Sequence, residues 1–149
     1  MTAANALDDG RGAVMALDVG NRRIGVAVTD ARRQFVLPRE TLERASAEAD
    51  ARALKKVVDE DGVRVIAVGL PINVDGTEGP QAHASRAFAA DLTARTGLPC
   101  LFVDERYTSI EADEALRERF RDWRDRKARV DRGAAALILR TYLEHGPMP

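Results

Sequence analysis

The segment Met15-Ala-Leu-Asp-Val-Gly-Asn-Arg-Arg-Ile-Gly-Val-Ala-Val-Thr-Asp30 carries a turn between two short apolar runs. Ala13 to Leu17 and Ile24 to Val28 have the length of buried strands, and their β-branched residues argue against helix. Gly20, Asn21 and two arginines between them are hairpin-turn chemistry. Asp18 ends the first run. A charge at the end of a hydrophobic strand costs several kcal/mol to desolvate unless it is paired or bound to a cation. Asp18 either accepts hydrogen bonds from the turn or holds a ligand. Gly20 and Gly25 leave room for something to approach the backbone.

Phe35 to Leu42 reads as a third strand, with Pro38 marking an edge or a bulge. Ser46 opens a helix with Leu54, Val57 and Val58 as its stripe and Gly62 as its stop. Val63 to Leu70, broken only by Arg64, reads as a strand buried on both faces. It empties into Pro71-Ile-Asn-Val-Asp-Gly-Thr-Glu-Gly79, a polar loop of the kind in which open α/β sheets hold ligands. A helix from Pro80 to Thr96 is expected to bury Ala84, Ala87, Phe88 and Leu92, and Gly97 and Pro99 end it. Cys100 to Val103 is the fifth strand and delivers Asp104-Glu-Arg106. Thr108-Ser-Ile-Glu111 fits a capping box that starts a helix running to Arg119. Arg121 to Arg129 reads as a mobile basic connector, and the last helix as starting near Asp131. The order βββαβαβαα predicts an α/β fold, a mixed five-stranded sheet with helices on both faces.

At 149 residues, 45% of them hydrophobic and 32% charged, the chain has the composition of one soluble domain. Residues 1–12 read as a flexible leader without the hydrophobic core of a signal peptide, and residues 13–149 as a single domain; the expected location is the cytoplasm. The single cysteine, Cys100, excludes an intrachain disulfide and reads as a small buried hydrophobe. The two histidines, His83 and His145, have no metal-ligand spacing, so any metal falls to carboxylates, which favour Mg²⁺ or Mn²⁺. Net charge is −1, yet Arg117 to Arg132 holds eight basic and four acidic residues. An arginine-dominated cluster suits phosphate contacts; a solvated helix face is the alternative.

Three apolar elements each end in an acid: Asp18, Glu105 (with Asp104 beside it) and Asp131. Brought together they would raise one another's pKa values or bind a divalent cation. Each has a plainer role open to it. Asp131 can serve the dipole at a helix start, Glu105 can pair with Arg106 or Arg22, and Asp104 can be the acid that faces inward.

Ala16-Leu-Asp-Val-Gly20 with Arg23-Ile-Gly-Val-Ala27, Val68-Gly-Leu-Pro71 with Asn73 and Asp75-Gly-Thr77, Asp104-Glu-Arg106 with Thr108, and Val130-Asp131 with Ala134-Ala-Ala136 together resemble the YqgF/RuvX family. Those proteins are Holliday junction resolvase-like nucleases, also described as pre-16S ribosomal RNA nucleases. The resemblance runs from Val14 to Glu144 and implies an RNase H-like fold and divalent-metal phosphodiester hydrolysis. By motif position Asp18, Glu105 and Asp131 become catalytic metal ligands, with Asp104 or Asp75 as further candidates. Two cations about 4 Å apart on such carboxylates supply the chemistry without a histidine base. Arg22, Arg23, Asn73, Arg106, Arg126, Lys127 and Arg129 are the candidate nucleic-acid contacts. The implied partners are precursor rRNA or branched DNA and ribosomal particles, with no membrane, the protein acting as a monomer or weak homodimer. The competing readings are a non-catalytic RNA-binding ribosome-assembly factor and a phosphotransferase lobe of the actin and sugar-kinase type.

Overall fold

The computed structural model describes residues 7–106 and 123–149, with the backbone alone for 123–132. Five strands, β1 (Ala13–Val19), β2 (Arg23–Thr29), β3 (Val36–Glu43), β4 (Val63–Leu70) and β5 (Cys100–Asp104), form one sheet in the order β3-β2-β1-β4-β5. The first three pair antiparallel, whereas β1–β4 and β4–β5 are parallel. The near-continuous apolar runs of β1, β2 and β4 take these interior positions because both faces of the sheet are covered. β3, with Pro38 opposite Ala27, takes an edge, and its pairing shifts register between Ile24 and Val26. On the opposite edge, the C-terminal tail donates from Met148 N–H to Phe102 O at 2.8 Å, blunting the exposed side of β5.

Helices α1 (Ala47–Asp61) and α2 (Pro80–Thr96) cover one face, and α3 (Trp123–His145) covers the other. The signals for α1 are local. Ser46 accepts from Ala49 N–H at 3.1 Å, and Gly62, at φ 66°, turns the chain out of the helix. Its buried stripe includes Leu54 and Val58, with Val57 half-buried against the same core.

Three expectations are corrected. The buried side of α2 is Ala82, Ser85, Ala89 and Leu92, while Ala84 and Ala87 face solvent and Phe88 is half-buried. Alanines occur all round this helix, so apolar spacing does not select a face. The basic connector is helical from Trp123: no proline or glycine interrupts 123–132, and its arginines, lysine and alanine are good helix formers. Asp131 is therefore inside α3, which rules out a helix-start role. The leader is tied down from Asp8 onward. Asp8 receives two hydrogen bonds from Arg33, at 2.7 and 2.8 Å, and one from the Tyr142 hydroxyl on α3. The helix expected over 108–119 lies outside the described residues, and among those described no helix is long and apolar enough to cross a membrane.

Candidate active site

Strand alternation decides which side chains meet at the carboxyl ends of the parallel strands. Along β1, Met15, Leu17 and Val19 join the core under α1 and α2, whereas Val14 and Ala16 join the core under α3. The next residue of the second set is Asp18. In β4, Val65 and Ala67 face α3, and Gly69 follows them. In β5, Leu101 and Val103 do so, and Glu105, just past the strand end, continues the series. Asp18, Gly69 and Glu105 thus share one face of three adjacent strands.

Glu105 is fixed through its backbone and by a gap in the sheet. Its N–H donates to Leu70 O at 3.1 Å, continuing the ladder past β5. Its side chain lies over Gly69, where an added Cβ would come within 2.4 Å of Oε1 and 2.5 Å of Ile138 Cδ1. Any other residue at 69 would fill the space that Glu105 occupies.

The Glu105 carboxyl meets that of Asp18. Burial first, then a hydrogen bond to Asp18 and the charges of Asp18 and Asp104, push its pKa up to about 8. The pair therefore holds a proton well above the ordinary carboxylate range, because two buried carboxylates in contact cannot both ionise easily. Asp104, the alternative inward acid, is committed elsewhere. Arg106 grips it through Nε at 3.0 Å and Nη2 at 2.6 Å, and its backbone N–H adds a bond at 2.9 Å. Burial opposes ionisation there, but these bonds prevail and hold Asp104 below the usual carboxylate range. Asp75 caps its own loop, accepting from Thr77 Oγ1 and N–H. Among the described residues no third His, Cys, Asp or Glu joins the pair to form a metal-holding group. The side chains of Asp131, Arg126, Lys127 and Arg129 lie outside the described residues.

Beside Asp18 opens a cavity of about 220 Å³, lined also by Gly20, Arg22, Arg23, Gly25 and Thr41. Gly25 is directly across the β1–β2 ladder from Asp18, so no side chain stands in the way. The turn that shapes this cavity is closed by Gly20 N–H donating to Arg23 O at 2.8 Å. It is braced by Arg44, which donates to Gly20 O at 3.0 Å and to Asp50 at 3.3 Å while lying 5.2 Å over the Phe88 ring. On the other side, Gln81 Nε2 donates to Val19 O at 3.1 Å and fastens the first turn of α2 to the end of β1. Of the candidate contacts, Arg22 and Arg23 line the cavity, Arg106 holds Asp104, and Asn73 bonds Thr77 within its own loop. Gly69, Arg44 and Gln81 escaped the sequence reading. A glycine inside an apolar strand is a signal of close approach and points to Gly69; nothing local marks the other two.

Two carboxyls sharing a proton at the parallel-strand ends of a 3-2-1-4-5 mixed sheet define the class: an RNase H-like fold with an acidic centre. A family model described as RuvX, Holliday junction resolvase, matches residues 12–145. The chain belongs to the RuvX family, a family of nucleases. A protein of Moorella thermoacetica named "Putative pre-16S rRNA nuclease" is 44% identical over 88% of this chain and 94% of its own length. A Rhizobium meliloti protein of the same name is 37% identical over 88% of this chain and 79% of its own. Among solved structures, Thermus thermophilus RuvC in complex with a Holliday junction substrate superposes with a TM-score of 0.56 at 14% identity, covering 93% of this chain and 99% of that one. The fowlpox virus resolvase, solved with Holliday junction DNA, gives 0.51 at 12% identity over 89% of this chain and 97% of its own. These two likenesses are of fold.

Proposed function

We propose that this protein hydrolyses phosphodiester bonds of precursor 16S ribosomal RNA, using Mg²⁺ or Mn²⁺ held by Asp18, Glu105 and Asp131. The observation that carries the reading is the contact between Asp18 and Glu105, where burial and mutual repulsion keep one acid protonated. An all-oxygen, acidic donor set of this kind fits a hard divalent cation, which would take the place of the shared proton. The support for Asp131 is its register in α3. It precedes Ala135, Ile138 and Tyr142, all buried against the sheet, by four, seven and eleven residues, the spacing of one helical stripe.

When bound, such cations neutralise phosphate charge and generate a hydroxide nucleophile at neutral pH. The chain's own groups have the remaining tasks. Asp18 and Glu105 present their carboxyl oxygens from backbone-anchored positions on one face of the sheet. Glu105, which shares the proton with Asp18, would have to release it to solvent to serve as a metal ligand. Arg22 and Arg23, which line the cavity, hold the phosphate backbone, and Arg126, Lys127 and Arg129 of α3 are the further candidates for phosphate contacts. The relatives' names, which mention pre-16S rRNA, support ribosomal precursor over branched DNA as the substrate, and such a substrate would be met beside ribosomal particles in the cytoplasm. Purified protein incubated with precursor rRNA, an unstructured single strand and a four-way DNA junction, each with Mg²⁺ or Mn²⁺, tests this. Chelator-sensitive cutting of the precursor is expected; failure to cut any of the three overturns the reading.

A further inference from the structure

We propose that the loop 71–79 is a substrate-positioning wedge, with Val74 at its tip packing against an unpaired base of the nucleic acid that the acid pair cuts. This rests on the nuclease reading above. Val74 is 97% exposed. Scattered exposed apolar residues are ordinary on protein surfaces; what sets this one apart is the scaffold beneath it. Ile72 and Glu78 pair as a β-bridge, Asn73 N–H donates to Thr77 O at 2.9 Å, and Gly76, at φ 89°, donates back to Asn73 O at 2.8 Å. Asp75 accepts from both Thr77 N–H and Oγ1, at 3.0 and 2.6 Å. Glu78 is clamped by Arg86 at 2.6 and 2.9 Å. The hairpin's polar groups bond one another and hold an apolar side chain out in water at a fixed position.

The hairpin's two ends are hydrogen-bonded to the chain segments that carry the acids. Its N-terminal end leaves Leu70, whose carbonyl accepts from Glu105 N–H, and its C-terminal end enters α2, where Gln81 bonds Val19 O. Four residues from Leu70 reach at most about 14 Å, which keeps the tip close to the strand ends that present the acid pair. Arg106 lies on the flank of the hairpin, its Nη1 3.9 Å from the position a Cβ of Gly76 would take. An apolar tip beside an arginine matches a base face beside its phosphate. Apolar side chains used in this way wedge against unstacked bases. A regular duplex offers no such face, so the hairpin would select sites where the strand is unpaired.

The test uses the full chain and its Val74→Ser and Val74→Leu variants with an RNA hairpin bearing 2-aminopurine at successive unpaired positions, rapidly mixed in Mg²⁺ so that binding is read before cutting. The serine variant is expected to bind about five-fold more weakly, no more than the low end of what a base gains by stacking on an aromatic side chain. It should also lose the 2-aminopurine change at one position near the cut, with kcat close to the parent's and Val74→Leu restoring both. Equal affinity and equal fluorescence in parent and Val74→Ser overturn the wedge and leave the tip to a protein partner. A parent that cuts nothing, with the fluorescence difference still present, overturns the nuclease reading and supports the wedge.

Discussion

Glu105 occupies the space above Gly69 that any side chain would need, with Oε1 2.4 Å from where a Cβ would stand. The acid of β5 is therefore aimed by a missing side chain on β4. Gly69→Ala should displace Glu105 and press on Ile138, with a loss of about 1–3 kcal/mol from overpacking. It should also lower cleavage far more than that loss of stability explains. Thermal melts and cleavage rates of the same preparation check both effects; parental activity in a folded Gly69→Ala protein would separate Glu105 from the chemistry.

The strands are legible in the sequence because β1, β2 and β4 are near-continuous apolar runs, which suit burial on both faces of a sheet. The first helix is legible because Ser46 and Gly62 act on their own backbones. The buried face of α2 is not, since Ala82, Ala84, Ala87 and Ala89 are alike in composition and only tertiary packing distinguishes them. Arg121 to Arg129 misleads for a different reason. It lacks an apolar stripe, yet its residues favour helix, and its described part, from Trp123 onward, is helical. Asp18 and Glu105 stand out as acids ending hydrophobic strands, and the sheet order brings them together. Arg44 and Gln81 reach the site through contacts far apart in sequence, which no local pattern encodes.

Glu105 makes the metal-free protein sensitive to alkali. Its pKa rises from 4.5 to about 8 on folding. Between those values the folded state holds a proton that the unfolded state has released, so stability falls as pH rises through this range and levels off above it. Urea unfolding at pH 5, 6.5 and 8.5 in chelator should show the decline, and Glu105→Gln should flatten it. Added Mn²⁺ should restore stability more at pH 8.5 than at pH 5.

Asp8 behaves in the opposite sense. Burial disfavours its charge, but hydrogen bonds from Arg33 and Tyr142 outweigh that and bring its pKa down to about 2. Its contribution is complete above the unfolded value of 3.8 and is lost as pH falls through about 2. Asp8→Ala should cost about 1.5–3 kcal/mol at pH 7, the range for hydrogen bonds to a charged group, and leave the kcat of cleavage unchanged. A parental Tm would mean that the leader is not fastened there.

Replacing Arg126, Lys127 and Arg129 together with alanine keeps the helix propensity of α3 and removes three positive charges. If they contact phosphates, log affinity against log salt should lose about 0.7 of slope per contact on single strands. Cleavage at saturating substrate should change little. An unchanged slope would take this part of α3 out of the binding surface.

The most direct measurement is cleavage of precursor 16S rRNA by Asp18→Asn, alongside calorimetric titration of Mn²⁺ into parent and variant. The substitution removes a charge and almost no volume. The expected result is a folded protein with weakened Mn²⁺ binding and no detectable cleavage, beside a parent that binds the metal and cuts. Full cleavage by a pure Asp18→Asn protein would contradict the assignment of the acid pair as the nuclease centre.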